Sequence, residues 1–145
     1  MVTPILMLII AAIFDFGMMF RAWETVTNAA REGARVGVLP AYTLDENVRQ
    51  RVEQYMQASG VASACTLRTI SGGTCPATQC SVCVQSRTLV TGAGSYTARV
   101  VTVMSTQSLP SLSVIGTFFG GSFGTINVGS TTSMRVEVAG TPPAP

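Results

Sequence analysis

Residues Thr27–Gly37 read TNAAREGARVG, with charged and amide side chains three or four positions apart among alanines and glycines. At about 100° per residue, Glu24, Asn28, Arg31 and Arg35 fall on one face of a helix. Ala22, Val26, Ala29, Ala30, Gly33 and Gly37 fall on the other. Glycine costs about 1 kcal/mol against alanine in a helix interior, so two glycines on one stripe imply that another backbone comes close. That neighbour is either the protein's own sheet or a second subunit. Pro40 ends the helix near Val38, because the residue before a proline resists the helical conformation.

Upstream the same helix is nearly pure hydrocarbon. Ile5–Phe14 is uninterrupted apolar, and from Met1 to Phe20 only Thr3, Pro4, Asp15 and Gly17 depart from that pattern. At about 1.5 Å per residue the run spans roughly 30 Å, the thickness of a bilayer's hydrocarbon. A secretory signal fits less well, because no basic region precedes the run and the helical pattern continues through it. Thr3 before Pro4 is expected to cap the helix start. Ile5, Leu8 and Ile9, with Asp15 and then Ala22, Val26, Ala29, Gly33 and Gly37, are the candidate assembly residues. A carboxylate at a bilayer centre costs about 2.5–3.5 kcal/mol on insertion scales. Asp15 therefore either meets a neighbouring helix or a partner's N-terminus, or lies near the membrane surface.

Downstream, Thr43 and Glu46 make a T-x-x-E capping box for a second helix that stops at Gly60. Its apolar stripe is Leu44, Val48, Val52, Tyr55 and Met56, with an Asp45–Arg49 pair on the wet side. From Cys65 the period changes to two. Strands are predicted at Cys80–Val90, at Tyr96–Met104 and in TINVGSTTSMRVEV (residues 125–138), with a fourth at Cys65–Ile70. The short connections predict an antiparallel sheet. Ile115, Phe118, Phe119 and Phe123, in the Gly-rich segment 109–123, form either a subunit contact or a cover over the sheet. The fold class is thus α+β: a long protruding N-terminal helix, a second amphipathic helix and an antiparallel sheet of three or four strands. Residues 1–21 form the apolar membrane or filament-core half, 22–140 a globular head and 141–145 a flexible tail.

Composition removes several functional classes. The 145 residues carry nine arginines against seven acids, with no lysine and no histidine, for a formal charge of +2. The arginines are scattered, so no basic patch collects phosphates and nucleic acid is not expected as a partner. Histidine-dependent catalysis is excluded. The DFG at residues 15–17 lacks the Gly-rich loop and lysine of a kinase. No catalytic residue, cofactor or metal is expected.

Cys65, Cys75, Cys80 and Cys83 are an even set, which in an exported chain reads as two disulfides. The spacing lacks the paired knuckles of a zinc site, and Cys80 and Cys83 open a strand rather than a helix, against a thioredoxin-like role. Three connectivities are open. If Cys65–Ile70 and Cys80–Val90 form a hairpin, Cys65 falls nearly opposite Cys83, which favours Cys65–Cys83 with Cys75–Cys80.

The N-terminal MVTPILMLIIAAIFDFG, followed some ten residues on by TNAAREGAR, resembles the TadE-like family of the tight-adherence (Tad) pilus system, a branch of the type IV pilin-like proteins. The remainder agrees in the order of its parts. The resemblance implies export, processing by a prepilin peptidase, an inner-membrane anchor before assembly and a place at the cell surface in a pilus. The partners it implies are other pilin or pseudopilin subunits, in homo- or hetero-oligomers, and the role that of a minor pilin or pseudopilin. Members of the family carry a glutamate and a phenylalanine just before the segment that matches Met1, so the processing site maps onto no residue here. The alternatives are the main repeating subunit of a filament and a membrane-anchored extracytoplasmic binding module that does not polymerise.

Overall fold

The computed structural model describes residues 2–39, 44–62, 64–91, 94–110, 113 and 124–136. Helix α1 runs Thr3–Gly37 and α2 runs Asp45–Ala58; the strands are β1 (Thr66–Thr69), β2 (Ser81–Thr91), β3 (Gly94–Ser108) and β4 (Thr125–Arg135). The class is α+β, and the four strands form one sheet in the order β1-β2-β3-β4. β2–β3 and β3–β4 are antiparallel. β1 is parallel to β2, with Thr66 beside Ser81 and Thr69 beside Val84. The sheet is therefore mixed, which corrects the all-antiparallel expectation. That expectation assumed a parallel connection needs a helix. Here residues 70–80 make the return without one, turning through Gly73 at φ 106°.

Helix starts and stops follow local chemistry. α1 begins with proline in its first turn, where the missing N–H would have been unsatisfied anyway. Its N-cap is Val2, with no side-chain cap, so Thr3 is the first helical residue and not a cap. Val38 is the C-cap, two residues before Pro40. α2 also lacks a side-chain cap: its N-cap is Leu44, and Thr43 lies outside the described residues. Among the described residues Glu46 accepts from Arg49 Nε at 2.9 Å. That bond holds the Glu46 carboxyl below the ordinary glutamate value. α2 stops where Gly60 takes the left-handed conformation at φ 68°.

The core lies between the two helices and one sheet face. Val26, Ala29, Ala30 and Ala34 of α1 meet Val48, Val52 and Met56 of α2, and both helices cover Val82, Val84, Val101, Val103 and Val128. The strand residues obey the pleat: Val82 pairs with Val103 and Val84 with Val101. Ser81 and Cys83 point to the opposite face yet are also buried. Thr78 Oγ1 bonds Ser81 Oγ there, and Cys75 is joined to Cys83, so residues 70–80 cover that face.

The expected Asp45–Arg49 pair is replaced by three others. Arg49 sits between Glu46 and Glu53. Asp45 turns inward to pair with Arg99 of β3 and accepts from Thr69 Oγ1 at 2.9 Å. Arg99 also donates to the Gly37 carbonyl at 3.3 Å, so one guanidinium ties the end of α1, the start of α2 and the sheet together. Its side chain is 15% exposed and that of Asp45 19%, so solvent screens this pair less than a surface pair. Arg99→Met should lower the stability to urea by about 1–3 kcal/mol, since a partly buried carboxylate and a helix-end carbonyl lose their donor. An unchanged urea midpoint would show that the clamp contributes nothing.

Candidate functional site

Two features separate this molecule from an ordinary α+β head: a helix that outruns its own core, and a pair of disulfides at one corner of the sheet. The helix divides sharply. Ile5, Leu8 and Ile9 are half or more exposed, and so are Val2, Leu6, Met7, Ile13, Phe14 and Phe16. Beyond Arg21 the apolar side turns inward: Ala22, Val26 and Ala29 are buried, as are Gly33 and Gly37. Glu24, Asn28, Arg31 and Arg35 are all exposed, as the helical projection requires. The most apolar 18-residue window of α1 has mean hydropathy 2.0, and only 11% of it is buried. By length and composition it can cross a membrane.

The small-residue stripe faces the protein's own core. A Cβ placed on Gly33 would lie 2.6 Å from Val52 Cγ2 and 3.4 Å from both Val101 Cγ1 and Val48 Cγ1. On Gly37 it would lie 3.2 Å from Val48 Cγ2. Of the two neighbours the stripe allows, α2 with the sheet is the one found. Ala22, Val26, Ala29, Gly33 and Gly37 are thus not presented to another subunit, which corrects their assignment as assembly contacts. Asp15 is corrected likewise: it is 1% exposed within its own chain and offers no free carboxylate to a neighbour's helix. Ile5, Leu8 and Ile9 remain outward. Ile115, Phe118, Phe119 and Phe123 lie outside the described residues.

All four cysteines are oxidised, but in the pairing Cys65–Cys80 and Cys75–Cys83. This overturns the preference for Cys65–Cys83 with Cys75–Cys80, and the parallel strand is the reason. The ladder sets Thr66 beside Ser81, so the residues one step earlier, Cys65 and Cys80, stand side by side with Cα atoms 4.6 Å apart. Cys83 points to the other face and takes Cys75 from the covering segment, Cα atoms 5.8 Å apart. As disulfides the sulfurs are not available as thiolate ligands. Among the described residues no cluster of acids, cysteines or histidines is placed to hold a metal.

A surface cleft of about 530 Å³ is lined by Gln57, Gly60, Val61, Gln79, Thr106 and Gln107. It offers amides and hydroxyls and no acid or base. The Arg99 clamp was not anticipated, though a signal existed: in ARVVTV, residues 98–103, Arg99 shares its parity with Val101 and Val103 and so had to sit on the core face.

No curated protein and no solved structure matches the chain. A family model does match, over the first helix: residues 1–35, which take in α1 almost end to end, are similar to the model described as TadE-like protein.

Proposed function

We propose that the chain is a structural subunit of a Tad-type surface pilus, a minor pilin or pseudopilin held in the inner membrane by α1 before it joins the filament. The observation that carries this reading is the coincidence of the TadE-like match, residues 1–35, with a helix whose first half is apolar and, Asp15 apart, largely exposed. A helix clothed in exposed Ile, Leu, Met and Phe needs an apolar surrounding, and the two on offer are lipid and a bundle of like helices. Membrane insertion before assembly and helix bundling after it use the same residues, Ile5, Leu8 and Ile9 among them. The head, closed by two disulfides, suits the oxidising side of the membrane. Other pilus subunits are the partners, and a prepilin peptidase acts upstream.

Shearing surface filaments from cells and blotting for this chain tests the reading. The chain is expected in the sheared fraction, at a small share of the filament mass for a minor subunit. Recovery in membranes alone would reject the pilus role in favour of an anchored module that does not polymerise, and recovery as the bulk of the filament would make it the main subunit.

A further inference from the structure

Among the described residues the exposed apolar surface ends abruptly: apart from Leu39, Leu44, Leu89 and Val90, every large exposed hydrophobic residue lies between Val2 and Trp23. At the boundary three side chains share one turn. Phe20 and Trp23 pack with tilted rings, centroids 6.0 Å apart, and both are about half exposed. Between them in sequence, Arg21 stays exposed while donating to the Ser59 carbonyl at the end of α2, at 3.2 Å. β4 reaches α1 at this turn, for Met19 and Trp23 line a shallow cleft with Ile126, Asn127, Val128 and Gly129. One helical turn above, Glu24 and Asn28 begin the polar exposed face.

From these observations we propose that Phe20, Arg21 and Trp23 form an interfacial collar that sets the depth of α1 in the bilayer. The proposal rests on the reading of α1 as the membrane-entering element. Thr3–Phe20 rises roughly 27 Å at about 1.5 Å per residue, against a hydrocarbon thickness of about 30 Å. Tryptophan and arginine belong at the headgroup level, where an amphipathic ring and a charged tip both find their solvent. Deeper entry is blocked, because from Ala22 onward α1 has one face built into the head and Glu24 on the other. Asp15, the charge within the inserted span, is covered by the protein and not offered to the acyl chains.

The chain contains one tryptophan, so its emission reports the collar directly. The full chain would be reconstituted into phosphatidylcholine vesicles whose acyl chains carry bromine either close to the headgroup or close to the chain end. Trp23 emission is expected at shorter wavelength than in detergent-free denaturant, with quenching by the shallow bromines exceeding that by the deep ones. Absence of quenching by either lipid, or stronger quenching by the deep bromines in the parent chain, would overturn the collar. Shallow quenching by a chain that never enters sheared filaments would leave the collar standing and remove the pilus reading. A chain found in filaments but unquenched in vesicles would do the reverse.

Discussion

Gly33→Leu is expected to lower the thermal stability of the head by several degrees, the result of about 1–3 kcal/mol of overpacking. The Cβ alone already collides. At 2.6 Å from Val52 Cγ2 it is closer than two carbons can stand, and Val52 is fully buried, with Val48 and Val101 also packed on the site. Val52 therefore has no exposed rotamer to retreat to. Even Gly33→Ala should destabilise, although alanine is the better helix former by about 1 kcal/mol. Gly17 supplies the contrast, since nothing lies within 4 Å of a Cβ added there. Gly17→Ala should leave stability unchanged or raise it slightly. Val52→Ala costs stability alone, yet combined with Gly33→Ala it should cost less than the sum of the two, because the removed methyl is the one in the way. Urea denaturation of the four proteins closes the cycle. Additive losses, or a Gly33→Leu protein as stable as the parent, would show that the glycine is not there for close approach.

The same residues explain what was legible in the sequence. A helical stripe is a one-dimensional pattern, so the division of residues 22–37 into an exposed face at Glu24, Asn28, Arg31 and Arg35 and a buried one at Ala22, Val26, Ala29 and Gly33 could be read from spacing alone. Strand existence was legible for a similar reason: Val82 and Val84, or Val101 and Val103, repeat at two. What the spacing of Gly33 could not reveal is the identity of the neighbour. Small residues admit any backbone, and only the fold shows that α2 and β3 occupy the space.

Strand direction was illegible for a different reason. The alternation of a strand is the same in both directions, so TLRT at residues 66–69 carries no sign of being parallel to β2. The error then propagated to the cysteines, since a hairpin sets Cys65 against Cys83 and a parallel register sets it against Cys80. Asp45 shows a third limit. Local helix rules pair it with Arg49, but the sheet brings Arg99 to the same carboxylate, and a contact between residues so distant in sequence leaves no local trace.

Loss of the Cys65–Cys80 bridge should be the costlier of the two disulfide deletions. A cross-link removes loop-closure entropy from the unfolded chain, and on the chain-entropy model a loop of 15 residues is worth about 3 kcal/mol, against about 2.5 kcal/mol for one of 8. Burial adds to the difference. Cys65 and Cys80 belong to the main core cluster with Val82 and Val84, so replacing them also forfeits packing, whereas the second bridge fastens residues 70–80 to the sheet's outer face. Cys65→Ser with Cys80→Ser is thus expected to lose about 3 kcal/mol or more in urea, and Cys75→Ser with Cys83→Ser less. The pairing itself has a sharper test in the single variant Cys65→Ser. Denatured without reductant and alkylated, it should carry one label, located by mass spectrometry on Cys80. The parent should carry none. A label on Cys83 would restore the hairpin pairing and with it an antiparallel β1, while a labelled Cys75 would leave neither register standing. The connectivity of one sulfur thus reports the direction of a strand that the sequence pattern could not.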